Sequence, residues 1–299
     1  MPMNIRLVCA LFTWYISSVM VNVTWKWAVK TYSSVLLLTM VQFAISEIIA
    51  LSTYLSNNYY NIRYKNDKTF SKKEGPGHFR LITSIGLTFA LGQLCTNSSL
   101  SMSSVALTNA IKATEPFVAL IFSFLFFQAD IPSRAMFYML LTIVGACLTS
   151  KSDSSFSVNG ALYATASNFF LQARNVLIKN VDKDETNSRG IRLFLYSNTV
   201  GLMFLAIACI IYSIINGFDL ENIFFVDNAM VLAGIFFALQ HISSYIVLEF
   251  ASTTTHALLN VSKRVFIIFV GSVILGTVLT NKQIVGICIT FISLYYLAY

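Results

Sequence analysis

Uncharged, apolar stretches of about membrane-spanning length recur along this chain with little between them, and no other feature restricts its fold as strongly. A helix needs about 20 mostly apolar residues to cross the hydrocarbon of a bilayer. Ten such runs can be delimited, at about 7–27, 33–55, 79–99, 104–127, 133–150, 157–178, 191–215, 228–249, 254–279 and 283–299. Charged residues are 11% of the 299 and the mean hydropathy is +0.70, whereas soluble domains carry about 25% charge. The expectation is an all-α integral membrane bundle of ten transmembrane helices. The run beginning at Leu7 leads directly into a second one, so it is read as the first span and not as a cleaved leader.

The only long polar connection is 56–78, with shorter polar patches at 179–190 and 216–227. Assigning the connections to alternating sides places twelve of the twenty cations on the side of the N-terminus and four on the other, while Lys112, Arg174, Lys263 and Arg264 fall inside spans. Lysine and arginine collect on the cytoplasmic side of membrane proteins, so both termini are expected there or on its organellar equivalent. The segments "EPFVALIFSFLFFQ" (115–128) and "RVFIIFVGSVILGT" (264–277) echo one another, each next to a lysine within a span, Lys112 or Lys263. Five spans followed by five force the second half to be inverted relative to the first, a transporter architecture. The expected units are a first five-helix repeat at 1–150 and a second at 151–299, together one transmembrane domain.

The stretch "LLNVSKRVFIIF" (258–269) places Lys263 and Arg264 side by side, and no further charge follows before Lys282. A lysine or arginine at the centre of a span costs roughly 2.5–3.5 kcal/mol on insertion scales. Three of them, counting Lys112, approach about the whole stability of a folded domain. Three explanations compete. The helix breaks at Lys263 and Arg264, or the cations pair internally with Glu47 or Glu249, or they line a cavity made for an anion. Arginine offers a rigid fork suited to phosphate and lysine a point charge. Glu115 follows Lys112 by three residues, so on one continuous helix it neutralises part of that charge.

Other polar residues gather in the same spans: Gln93, Thr96 and Asn97; Thr108 and Asn109; Asn168, Gln172, Arg174 and Asn175; Gln240, His241, Ser244 and Tyr245. Singly they suit contacts between helices, but their recurrence in four spans argues for a wet central cavity. All five cysteines lie in apolar runs without a CxxC spacing and are read as small core residues. His78, His241 and His256 are too scattered to suggest a metal site.

The segments "NAIKATEPF" (109–117) and "THALLNVSKRVFII" (255–268) resemble signature segments of the plastid sugar-phosphate/phosphate translocators of the drug/metabolite transporter superfamily. "TWYISSVMVNVTWK" (13–26) resembles their first span and "ASNFFLQARNVLIKN" (166–180) their sixth. The resemblance covers nearly the whole chain. It implies ten spans and exchange of inorganic phosphate for phosphorylated three-, five- or six-carbon compounds. The family's phosphate-binding cations match Lys112, Lys263 and Arg264. At the carbon end of the substrate, Thr96 matches a family threonine, Gln93 and Asn109 stand where triose-phosphate members have histidine, and Gln240 stands where they have tyrosine. "QARNVLIK" and "SSYIVL" (243–248, with Tyr245) look closer to the phosphoenolpyruvate branch.

The expected function is therefore antiport of phosphate against triose phosphate, 3-phosphoglycerate or phosphoenolpyruvate by alternating access. Lys112, Lys263 and Arg264 would hold the phosphate. Gln93, Thr96, Asn109, Gln240 and Tyr245 would hold the carbon moiety, and Glu115 and Arg174 would compensate charge or gate. Partners are phosphate, small phosphorylated metabolites and membrane lipids, with no nucleic acid and no cofactor, in a plastid-type membrane (an apicoplast included). A nucleotide-sugar antiporter of the secretory pathway is the alternative within transporters. A membrane-embedded phosphotransferase is a further class, but no Walker motif, paired carboxylates or His–Asp set is present to serve it.

Overall fold

The computed structural model describes residues 5–32, 34–60, 76–127, 133–151, 156–179, 189–216, 227–250 and 253–298. Most of the polar connections, and the cations they carry, lie outside the described residues. Described secondary structure is entirely helical: α1 (Ile5–Thr31), α2 (Val35–Tyr60), α3 (Pro76–Met102), α4 (Val105–Lys112), α5 (Glu115–Phe127), α6 (Ser133–Lys151), α7 (Val158–Lys179), α8 (Arg189–Asn216), α9 (Asn228–Phe250), α10 (Thr253–Leu275) and α11 (Asn281–Ala298). Four stretches, Leu7–Thr31, Val35–Asn57, Phe79–Met102 and Gly190–Ile215, are long and apolar enough by themselves to cross a membrane. Large apolar side chains such as Ile48, Leu140, Ile214 and Val273 face outward, as a lipid-facing surface requires.

Each apolar run of the sequence is helical, but the fourth is two helices where one was expected. Pro116 is the cause. Proline cannot donate to the carbonyl four residues back, and its ring clashes with that carbonyl, which here belongs to Lys112. α4 therefore stops at Lys112 and tightens over its last turn, with Thr114 N–H donating to the Ile111 carbonyl at 3.0 Å. Asn168 Nδ2 on α7 donates to the same carbonyl at 3.1 Å and to Thr114 Oγ1 at 3.3 Å. The broken backbone is thus served by a side chain, as a helix break within a bundle demands. Ser104 caps the start of α4 by accepting from Leu107 N–H at 2.9 Å.

Two further boundaries shift for local reasons, the end of the ninth run inward and the start of the tenth outward. Gly276 takes φ +65°, the Gly276 N–H reaches the Val273 carbonyl (3.2 Å) and the Thr277 N–H the Ser272 carbonyl (2.9 Å). That is the Schellman ending of a helix, so α10 closes at Leu275 and not at 279. Thr280 and Gln283 then exchange backbone and side-chain bonds (2.8 and 3.2 Å) that open α11.

Packing pairs α1 with α9, α3 with α7, α6 with α11, α2 with α8, and α4 with α10. A core of Phe43, Phe89, Phe194 and Phe237 holds α2, α3, α8 and α9 together, with ring centroids 5.3–6.4 Å apart. The α6–α11 seam is built from small residues. A Cβ on Gly145 would sit 2.4 Å from Thr290 Oγ1 and 2.7 Å from the Gly286 carbonyl, and a Cβ on Gly286 would meet Thr149 Oγ1 and the Gly145 carbonyl at 2.5 and 2.7 Å. Such close backbone approach through small residues is how helices associate in lipid, where no hydrophobic force drives them together. The cysteines depart from expectation. Only Cys209 is buried, while Cys9, Cys147 and Cys288 are exposed, because they fall on outward helix faces where an apolar thiol is as acceptable as an alanine.

Gly145→Val must push α6 away from Thr290 and the Gly286 backbone. Overpacking of this kind costs about 1–3 kcal/mol. The purified variant should melt several degrees below the parent in detergent. An unchanged melting temperature would show that this seam is looser than described.

Candidate functional site

α10 runs unbroken through Lys263 and Arg264, so the reading in which these cations mark a loop does not hold. Both are buried, at 5% and 9% exposure, as are Lys112 (4%) and Glu115 (9%). They line one cavity of about 370 Å3 that α1, α2, α3, α4, α5, α7, α9 and α10 enclose. The structure brings nine of the ten residues singled out from sequence to its walls: Gln93, Thr96, Asn109, Lys112, Glu115, Arg174, Gln240, Lys263 and Arg264. Tyr245 is the tenth, and its side chain lies outside the described ones.

Each cation is held differently. Lys112 ends α4, and its Nζ donates to Thr96 Oγ1 (2.5 Å) and Ser167 Oγ (2.8 Å), two hydroxyls that also bond each other at 2.7 Å. An ammonium has three donors, and the third has no partner among the described residues. Lys263 Nζ lies 4.6 Å from the centroid of Trp14 on α1, a cation–π contact. The Tyr15 hydroxyl fastens α1 to α10 beside it, bonding the Leu259 carbonyl (2.9 Å) and Ser262 Oγ. Arg264 points some 100° away from Lys263, as adjacent helical residues do. Its guanidinium donates to Glu115 Oε2 (2.8 Å) and Asn109 Oδ1 (3.4 Å).

Glu115 therefore makes its direct salt bridge with Arg264 and not with Lys112, on whose charge it acts only through space. Pro116 breaks the helix between them, which turns the carboxylate to Arg264, and its other oxygen accepts from Gln172 Nε2 at 2.7 Å. Internal pairing with Glu47 is also set aside. That carboxylate accepts from Asn198 Nδ2 and Thr199 Oγ1, both at 2.6 Å, in the α2–α8 contact away from the cavity. The side chain of Glu249 is not among the described residues.

A polar lattice stiffens the walls. Asn109 Nδ2 donates to Asn22 Oδ1 (3.1 Å), and Asn97 Nδ2 to Gln42 Oε1 (2.9 Å) and Thr39 Oγ1 (3.1 Å). At the other end Arg174 bonds Asn175 Oδ1 at 2.9 Å and lies over the ring of Phe89 at 5.2 Å. Sequence reasoning missed Trp14 and Ser167. Neither residue type signals a charge partner, and both come from helices remote in sequence from the lysines they meet.

The cavity walls carry Lys112, Arg174, Lys263 and Arg264 against a single carboxylate, Glu115, among the described residues. An excess of positive charge facing an internal chamber of an apolar helical bundle marks a site for an anionic solute in a membrane protein. The chain belongs to the Triose-phosphate Transporter family, whose model matches residues 5–296, and it is a transporter and not an enzyme. It is 28% identical over 295 residues to the phosphoenolpyruvate/phosphate translocator 1 (chloroplastic) of Oryza sativa subsp. japonica, covering 94% of this chain and 69% of that protein. It is 30% identical over 272 residues to the triose phosphate/phosphate translocator, non-green plastid, of Brassica oleracea var. botrytis, covering 87% of this chain and 64% of that protein. The chain thus spans about two thirds of the length of these relatives. A solved crystal structure shares the fold with a TM-score of 0.57 at 15% identity, over 95% of each chain.

Glu115→Gln removes the carboxylate paired with Arg264. Breaking one side of a buried pair costs about 3–5 kcal/mol, whereas removing both sides costs far less. Glu115→Gln should therefore lower the melting temperature, and Glu115→Gln with Arg264→Gln should recover most of the loss. A double variant no better than the single would show that the two side chains do not depend on each other.

Proposed function

We propose that this chain exchanges inorganic phosphate for phosphorylated three-carbon compounds (triose phosphate, 3-phosphoglycerate or phosphoenolpyruvate) by alternating access. The observation that carries this reading is the convergence of Lys112, Lys263 and Arg264 on one cavity that holds a single carboxylate, Glu115, among the described residues. A volume near 370 Å3 lies at the small end of ligand pockets, about 300–1,000 Å3. It suits a phosphate with a short carbon skeleton. Lys112, with one donor spare, and Lys263, resting on a ring face, can each turn to an incoming dianion. Arg264 remains tethered by Glu115 and offers its fork from a fixed position.

The charge excess also supplies the coupling. Closing the cavity around cations without an anion leaves them in a medium of low dielectric, a penalty of several kcal/mol for each ion (about that size after relaxation). A phosphate dianion removes most of it, so the loaded carrier reorients and the empty one does not. Exchange follows with no need for ATP or an ion gradient.

The architecture behind this reading is two five-helix repeats, 1–150 and 151–299, of opposite orientation. Support comes from helix neighbours that exchange symmetrically: the second, fourth and fifth apolar segments each pack on their counterpart in the other half, and the pair α1–α9 mirrors the pair α7–α3. Gly145 and Thr149 facing Gly286 and Thr290 repeat the pattern at the level of residues. In this arrangement both termini face the cytosol or its equivalent. The chloroplastic relatives suggest a plastid-type membrane.

Liposomes loaded with phosphate should take up labelled phosphate, and empty liposomes should not. Robust uptake into empty vesicles would contradict obligatory exchange. Lys263→Ala should depress exchange by roughly two orders of magnitude, since truncating a buried charge that pairs with ligand costs about 2–5 kcal/mol. Normal exchange by a folded Lys263→Ala carrier would remove the phosphate role.

A further inference from the structure

Lys263 differs from the other cations of the chamber in what holds it. Arg264 has a carboxylate, Lys112 two hydroxyls and Arg174 an amide oxygen. The Lys263 ammonium makes no hydrogen bond and no ion pair among the described residues, and sits 4.6 Å from the centroid of the Trp14 ring. An ammonium has three donors, so all three are uncommitted. The side chain is 5% exposed, yet its nitrogen is not one of the inaccessible, unpartnered polar atoms found among the described residues. Both Lys263 and Trp14 line the chamber.

The ring is a fixed support. Trp14 is 1% exposed and packs with Ala10 of its own helix and Val247 of α9. The next residue, Tyr15, meets it edge-on at 6.1 Å and ties α1 to α10 at three places: the Leu259 carbonyl, Ser262 Oγ and the ring of Phe266, 5.7 Å away. Lys263 lies between Ser262 and Phe266 on α10. The contacts that bracket the lysine in sequence therefore also anchor the helix that carries the indole, and set the distance between them.

An indole face offers a lysine something that a carboxylate does not. It attracts the cation through the quadrupole of the ring, brings no negative charge, and takes none of the directed N–H bonds. A carboxylate in the same place would neutralise the ammonium and occupy a donor. Glu115 acts on Lys263 through space and is the competing partner in the chamber. A lysine stem is flexible. Without the ring, the ammonium is left to close on Glu115 or to spread over several positions, and an arriving anion must undo either arrangement. Holding a group in its binding position beforehand removes that cost.

We propose that Trp14 is a positioning residue for phosphate: its π face holds the Lys263 ammonium in place and keeps all three donors for the anion. The inference rests on the phosphate-exchange reading above and adds to it a residue that acts through the lysine.

The test weakens the attraction while leaving the ring. Fluorine on the benzo ring of an indole drains its π face with little change of shape. Tryptophan carrying one or four such fluorines is placed at position 14 alone, by suppression of a stop codon in the otherwise unaltered chain. Labelled phosphate exchange in phosphate-loaded liposomes gives half-saturation and maximal rate, and the rise in melting temperature with added phosphate gives binding without transport. Half-saturation should climb with each step, to about tenfold for four fluorines, the size of a desolvated cation–π contact. The maximal rate should change little, since binding and not turnover is lost. Trp14→Phe, which keeps a weaker face, should fall between the parent and Trp14→Leu, which keeps only apolar bulk. Half-saturation that fluorination leaves unchanged would overturn the proposal, because the ring would then serve by bulk alone. So would tighter phosphate binding by the fluorinated carrier, which would mean that the ring holds the lysine back from the ligand. If phosphate stabilises the parent but is not exchanged, the exchange reading falls, and the melting series still decides the role of Trp14.

Discussion

The fold depends on how cations are kept inside a bilayer-sized bundle. Four basic side chains face one chamber with one acid among the described residues, and their mutual repulsion grows as the dielectric falls. No single device contains it. Lys112 leans on two hydroxyls, Lys263 on an indole face, Arg174 on an amide and a phenyl ring, and Arg264 alone on a carboxylate. The neutral partners solvate charge without cancelling it. The chamber therefore keeps a positive potential that a soluble core could not sustain, and an anion is the natural counterpart.

One backbone feature governs that distribution. Pro116 ends α4 at Lys112 and starts a new helix at Glu115, so two residues that would share a face of a continuous helix are turned to different partners. With Glu115 committed to Arg264 and Gln172, Lys112 is left with a spare donor. A local steric rule, the missing N–H of proline, thereby decides which cation stays free. At the break the Ile111 carbonyl accepts from both Thr114 N–H and Asn168 Nδ2, which pins α7 to the junction.

Charged and neutral residues of the chamber were legible to different degrees. Lys112, Lys263 and Arg264 stand out because charge in an apolar run is costly wherever it points, so their place at a polar chamber could be argued before any contact was known. Polar clusters on α3, α7 and α9 were legible as a wet chamber for the same reason. Trp14 and Ser167 were not, since an aromatic or a serine in a span is unremarkable until a lysine is found against it. The salt bridge from Glu115 to Arg264 was not legible because helical spacing was applied across a proline. The cysteines were misjudged because an apolar run does not say which face looks inward.

Composition and the spacing of apolar runs determined that this chain is helical and membrane-sized, and where its costly charges lie, because transfer free energy depends on residue type and run length alone. Only the tertiary structure decided which helices enclose the chamber and which acid meets which base. Those outcomes depend on distances between residues far apart in sequence, such as Tyr15 and Ser262, 247 positions apart. Electrostatics and hydrogen bonding fall off over a few ångströms of space, a separation that sequence order does not encode.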